Sequence, residues 1–194
     1  MKNMKWFLVP LFAMVASGCL SSGPRPPVNW LVEFSPGEDG GKAQRLDVTA
    51  KLYSLDVRSP YNSTAFAVLR PDGSVAFDGY NVFASKPSSL LKGAALDALS
   101  QSGRFSKVIP PGSSAYAQVT LELTVTRLAL DCRKERQRDA LAEVTLFAVV
   151  DRKVVGASNC AKAVPVEDAR YSDAFSRAVS DAVREAASSL EIRK

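Results

Sequence analysis

Three cysteines, Cys19, Cys132 and Cys160, carry the only thiols of the chain, and no histidine accompanies them anywhere in its 194 residues. A thiol becomes a catalytic nucleophile through an adjacent base or cation. Without imidazole, Cys-His and Ser-His-Asp catalysis are excluded, together with zinc and haem sites that need a histidine ligand. Acylation and disulfide formation remain as the chemistry open to the thiols. The acids offer no alternative centre, because Asp47, Asp56, Asp72 and Asp78 are scattered without the spacing of a cation-binding loop. Neither a Gly-rich phosphate loop nor a G-x-S-x-G elbow occurs. No catalytic residue, metal or cofactor is therefore expected, and the chain reads as a binding or structural protein. A hydrolase working through Ser or carboxylate chemistry is the weaker alternative, since no paired acids support it.

Cys19 has the most telling neighbourhood. Met1 to Lys5 hold two lysines and no acid, and Trp6 to Ala16 form an apolar run of eleven residues. A bilayer-spanning helix needs about 20 such residues, so this run fits the h-region of a secretory signal instead. Val15-Ala16-Ser17-Gly18-Cys19 resembles the bacterial lipobox, in which small residues precede a cysteine that is diacylated before the leader is cut away. Residues 1–18 are thus expected as a signal peptide, with Cys19 as the lipidated mature N-terminus. Each buried CH₂ contributes about 0.8 kcal/mol, so two or three acyl chains hold durably where one does not. Leu20 stands where an aspartate would favour retention at the inner membrane, which points to the periplasmic face of the outer membrane. Loss of Lys2 and Lys5 with the leader leaves 23 basic and 20 acidic residues, a net of +3, too balanced to imply a nucleic-acid partner.

The elements that must hold these residues follow from hydrophobic period. Residues 19–27 include Ser21-Ser22-Gly23-Pro24-Arg25-Pro26-Pro27, the composition of an extended spacer, and a single domain is expected over 28–194. Val28 to Phe34 predicts a short strand, followed by a turn-rich loop. From Leu46, apolar residues alternate through Leu52 and then shift phase to Leu55 and Val57, which predicts a bulge near Ser54. Ala65–Leu69 and Val75–Phe77 flank Pro71-Asp72-Gly73 and predict a β-hairpin. Pro87 to Ser102 predicts a helix capped by Ser85 or Ser88, in which Gly93 is expected to allow close packing on the sheet. Val119–Val125 with Leu128 and Leu130, then Ala140–Val150, then Val154–Val164 predict an antiparallel meander. A helix from about Glu167 then carries one apolar stripe from Tyr171 to Leu190. The fold class is α+β: a mixed, largely antiparallel sheet with two helices packed on it, ending in the meander and a long helix.

Cys132 and Cys160 fall on the outer strands of that meander. An even pair in an oxidising compartment suggests a disulfide. The expected register sets Cys132 level with about Ala140 and Cys160 level with about Val144, roughly 13 Å apart along the strands with one strand between them. A bridge needs Cα atoms within about 7 Å, so it forms only if the chain leaves the sheet before Cys132 and folds back. The disulfide and a reduced, buried pair both stay open. Arg133 to Arg138 place four basic residues and one acid in the first meander loop, read as a solvated hairpin tip in preference to a site for headgroups or a partner.

This order of elements resembles the ABC-type transport auxiliary lipoproteins, the family of paraquat-inducible protein C. Phe83-Ala84-Ser85-Lys86-Pro87 is similar to the aromatic-Ala-x-x-Pro stretch that opens the family's first helix. Leu99-Ser100-Gln101-Ser102-Gly103-Arg104-Phe105-Ser106-Lys107-Val108 is similar to the leucine, glycine, phenylalanine, valine passage after it, and Val164-Pro165-Val166 precedes the last helix as in the family. The resemblance spans roughly Trp30 to Leu190. It implies a non-catalytic accessory lipoprotein beside an ABC or MCE-type lipid transport system, with an MCE tunnel protein or ABC transporter components as partners. Some members form rings, which implies a homo-oligomer as well. A stand-alone assembly or structural lipoprotein of the envelope is the alternative.

Overall fold

Alternating apolar and polar residues send strand side chains to two faces, and both helices lie on one of them. The computed structural model describes residues 25–37 and 44–192. The expected signal peptide, Cys19 and residues 20–24 of the linker lie outside the described residues. The element order is β1 (Val28–Trp30), β2 (Leu46–Val57), β3 (Ala65–Leu69), β4 (Val75–Phe83), α1 (Pro87–Gln101), β5 (Phe105–Ile109), β6 (Val119–Asp131), β7 (Asp139–Val150), β8 (Lys153–Pro165) and α2 (Tyr171–Ser189). The class is the α+β class expected, a mixed sheet of eight strands with a long C-terminal helix.

The long strand β6 organises the sheet. One edge pairs antiparallel with β7 along nearly its whole length, and β7 pairs antiparallel with β8. The other edge is shared, because β2 pairs parallel with Val119–Val125 and β3 pairs parallel with Leu130 and Asp131. The antiparallel ladders are the longer ones, while β1 on β4 and β5 on β2 are short parallel additions. The phase change in β2 is a bulge at Tyr53, between the pairs Leu52↔Leu121 and Ser54↔Glu122. A second bulge at Thr126 accounts for the phase change in β6. In both, one extra residue moves the next apolar set back to the buried face.

The core lies between the sheet and the helices. Val119, Leu121, Leu123 and Val125 of β6 and Ala142, Val144, Leu146 and Ala148 of β7 meet the α2 stripe of Phe175, Ala178, Val179, Ala182 and Val183. The helix α1 packs on β2 and β5 and against α2. On the opposite face, Ala67, Leu69, Ala129 and Leu141 form a small second cluster covered by Tyr61.

Two local expectations are corrected. The cap of α1 is neither Ser85 nor Ser88: Asn62 of the β2–β3 connection accepts the Ser88 amide at 3.0 Å, so a residue distant in sequence satisfies a free helix N–H. Gly93 is exposed and a Cβ there would meet nothing within 4 Å, so it does not mediate packing on the sheet. Close approach occurs at Gly156, where a Cβ would collide with the Glu191 carbonyl oxygen. Arg104, buried beside it in the fold, donates to the Gln44 and Leu190 carbonyls and ties the end of α2 to the chain entering β2.

Candidate functional site, a strap seated on the last helix

The segment that leads from the N-terminal linker into the domain is strand for only three residues. The expected strand through Phe34 instead leaves the sheet after Trp30 and lies in extended form along α2. Its backbone is held by one row of helix side chains. Ser172 Oγ donates to the Leu31 carbonyl at 2.6 Å, Glu33 N–H donates to Ser176 Oγ at 3.0 Å, and Ser35 N–H donates to Ser180 Oγ at 3.0 Å. Arg184 Nη1 then donates to the Ser35 carbonyl at 3.0 Å, with its guanidinium 5.8 Å from the centre of the Phe34 ring and its other arm on Asp181.

The match is one of pitch. Ser172, Ser176, Ser180 and Arg184 recur every four residues, about 6 Å of helix rise, and two extended residues advance about 6.6 Å. One turn of α2 therefore serves every second residue of the strap. Ser180 is fully buried and Ser176 nearly so, and without the strap their hydroxyls would face only their own helix. The row is visible in the sequence as polar residues repeating beside the Phe175–Val183 stripe. Nothing local says what would bind them.

The upper end of the strap is fixed by aromatics. Trp30 meets Tyr171 edge-on at 5.4 Å, and Phe66 contacts Phe83 at 4.5 Å, Phe175 at 5.0 Å and Tyr171 at 5.7 Å. Trp30 Nε1 donates to Asn81 Oδ1, and Asn81 in turn donates to Asp78 Oδ2. Asp78 also accepts the Tyr80 and Asn81 amides, building the bulge in β4 opposite Ala65 and Phe66. Burial pushes the Asp78 carboxyl up, but these hydrogen bonds outweigh it and hold the group below its ordinary value. The N-terminal chain thus enters the fold through β1 on β4, the aromatic cluster and the serine row in turn.

The β6–β7 loop stands at the same end. Arg133 forms a two-pronged contact with Asp131, whose carboxyl that hydrogen bond holds below its ordinary value. Gln137 donates to both oxygens of Asp139, and Arg138 donates to the Tyr171 hydroxyl at 3.3 Å. Lys134 and Arg136 are exposed and make no ion pair among the described residues. The loop is thus an exposed hairpin tip with half of its cations already engaged.

Cys132 and Cys160 are free thiols. Cys160 lies opposite Val144, as the register expectation had it, while Cys132 follows the Asp131↔Asp139 pair and stands near Arg138. Arg138 to Val144 spans about 20 Å of strand, with β7 between the two cysteines, well beyond the roughly 7 Å a bridge permits. Burial, with the Glu185 carboxylate adding to it, pushes the Cys160 thiol up to about 11. Burial also raises Cys132. Neither thiol is an activated nucleophile. Among the described residues, no group of acids and cysteines is placed to hold a metal ion, and no helix is long and apolar enough to cross a membrane.

The site is therefore an intramolecular seat for the N-terminal strap in an α+β domain. No family model matches the chain, and comparison with curated proteins finds no similar one. Solved structures share the fold: a Xanthomonas campestris protein described under the family DUF330 is 16% identical with a TM-score of 0.63, covering 81% of this chain and 90% of its own. A second, uncharacterised protein is 9% identical with a TM-score of 0.56, covering 81% of this chain and 94% of its own. At such identities the likeness is one of architecture.

Proposed function

We propose that the protein is a periplasmic lipoprotein anchored in the outer membrane through acylated Cys19, acting as a non-catalytic accessory subunit of an ABC or MCE-type lipid transport system. The observation that carries this reading is the strap, whose β1 strand, Trp30 and serine row fasten the tether-proximal chain to the body of the domain. A lipobox cysteine at the far end of that chain is the feature such a fastening serves. The physical contribution is localisation, since a tethered domain meets a partner at an effective concentration set by its linker. Support for the transport setting comes from the element order and motifs shared with the auxiliary lipoproteins. The matched solved structures share this chain's fold.

The test has two parts. Replacing Cys19 by Ala is expected to move the protein from the membrane fraction to the soluble periplasm, and persistent sedimentation with membranes contradicts the anchor. Crosslinking in native membranes followed by affinity purification is expected to recover MCE or ABC components. Their consistent absence, with the anchor intact, leaves a stand-alone structural lipoprotein.

A further inference from the structure

We propose that the end of the domain from which the linker leaves is a membrane-contact surface, with Val75, Phe77 and Tyr80 of β4 meeting the lipid interface and Arg70, Lys134 and Arg136 meeting anionic headgroups. The inference rests on the acyl anchor proposed above and deepens it by naming the face turned to the bilayer.

Topology carries the first step. Because β1 runs parallel to β4 with Val28 opposite Asn81, the chain before Val28 heads toward the β3–β4 turn. That turn stands beside the β6–β7 loop, since Leu69 pairs with Asp131 and accepts the Cys132 amide. The linker therefore leaves toward the end of the sheet that carries both loop tips. From Cys19 to Val28 the chain reaches at most roughly 30 Å. The opposite end, marked by Val154 at the β7–β8 turn, lies a further strand length of about 40 Å away.

Chemistry carries the second. Phe77 is 50% exposed, Tyr80 57% and Val75 39%, an apolar group without a covering element. Val75 and Phe77 share the helix-free face with their partners Leu69 and Ala67, and the Asp78 bulge presents Tyr80 to solvent. Aromatic side chains of this kind favour the headgroup region, where the ring is partly dry and a hydroxyl stays wet. Arg70, Lys134 and Arg136 are exposed and without ion pairs among the described residues, and Arg136 holds the loop tip at a positive φ of 61°. Asp72 and Glu135 offset part of this charge. Each basic residue held near an anionic leaflet favours contact by about fivefold. Apolar side chains on β4 with cations on the two adjoining loops, on the end a short lipid tether holds close, fit a bilayer better than a protein groove.

The test uses the full acylated chain in vesicles with brominated acyl chains, either phosphatidylcholine alone or mixed with phosphatidylglycerol. Phe77→Trp is compared with Val154→Trp at the far end, with the wild-type signal of Trp30 subtracted. Quenching of Phe77→Trp is expected to exceed that of Val154→Trp several-fold, more so with phosphatidylglycerol. Adding Lys134→Glu and Arg136→Glu should reduce that excess. Equal quenching at both positions, with the protein still floating on the vesicles, overturns this face while leaving the anchor standing. Failure of the wild-type chain to float overturns the anchor and the inference with it. Shielding of Phe77→Trp from aqueous acrylamide that grows with protein concentration, without lipid quenching, assigns the patch to a second copy and overturns the lipid assignment.

Discussion

Ser180→Ala isolates the strap from the rest of the core. The Oγ removed accepts the Ser35 amide at 3.0 Å from a fully buried position on α2. Ser35 itself is half-buried, so leaving its amide unpaired costs about 1–2 kcal/mol, the lower part of the range for a buried donor. Alanine is the better helix former and returns a few tenths of a kcal/mol. A net loss of about 1–2 kcal/mol follows, or a fall in Tm of roughly 2–8 °C for a domain of this length. The signature is local: the Ser35 amide should exchange with solvent about 5- to 30-fold faster, since 1.4 kcal/mol is tenfold. Ser100→Ala is the control, because Ser100 is an exposed helix serine whose Oγ bonds back to Leu96. It is expected to be neutral or slightly stabilising, with strap exchange unchanged. Hydrogen exchange resolved at Glu33 and Ser35, with thermal melts of all three proteins, gives the comparison. If Ser180→Ala matched Ser100→Ala in both readouts, the serine row would not be holding the strap.

The glycines of α1 and β8 should respond in opposite directions: Gly93→Ala is expected to raise stability by about 0.5–1 kcal/mol, and Gly156→Ala to lower it by about 1–3 kcal/mol by pushing on Glu191, as read by urea midpoints. Thiol titration of the mature protein in denaturant without reductant should find Cys132 and Cys160 both free, with Cys160 slow to react when folded; a missing pair of thiols sinks the register argument. The Asp131 carboxyl has a folded value below its unfolded one, so its pairing with Arg133 stabilises fully above about pH 4 and is lost as pH falls through the folded value. The Tm difference between wild type and Asp131→Asn should thus shrink toward pH 2, and a constant difference contradicts that origin.

Periodicity makes much of this fold legible in the sequence. The period-two run of β2 carried even the place where an extra residue shifts the face, expected near Ser54 and observed at Tyr53, and the apolar set of β6 changes phase between Val125 and Leu128, around the bulge at Thr126, because burial on one side makes any slip visible in the pattern. The meander set Cys160 opposite Val144 by turn position alone. The helix stripes of α1 and α2 likewise announce a buried face, though not the surface that buries it. The cap of α1 is hidden from the sequence for a related reason: a serine beside the helix suits the N-terminus by type, yet Asn62 reaches it through space.

What the sequence by itself determined is whatever depends on neighbours a few residues apart, namely strands, helices and bulges. Only the tertiary structure decided that β2 and β3 share one edge of β6, that β5 is a strand on β2, and that residues after Trp30 abandon the sheet for α2. Those outcomes depend on which polar backbone groups find partners across more than a hundred residues, as Glu33 and Ser35 do with Ser176 and Ser180. A hydrogen-bonding residue has the same appearance in a sequence whether or not a partner is folded against it. Packing alone supplies the partner.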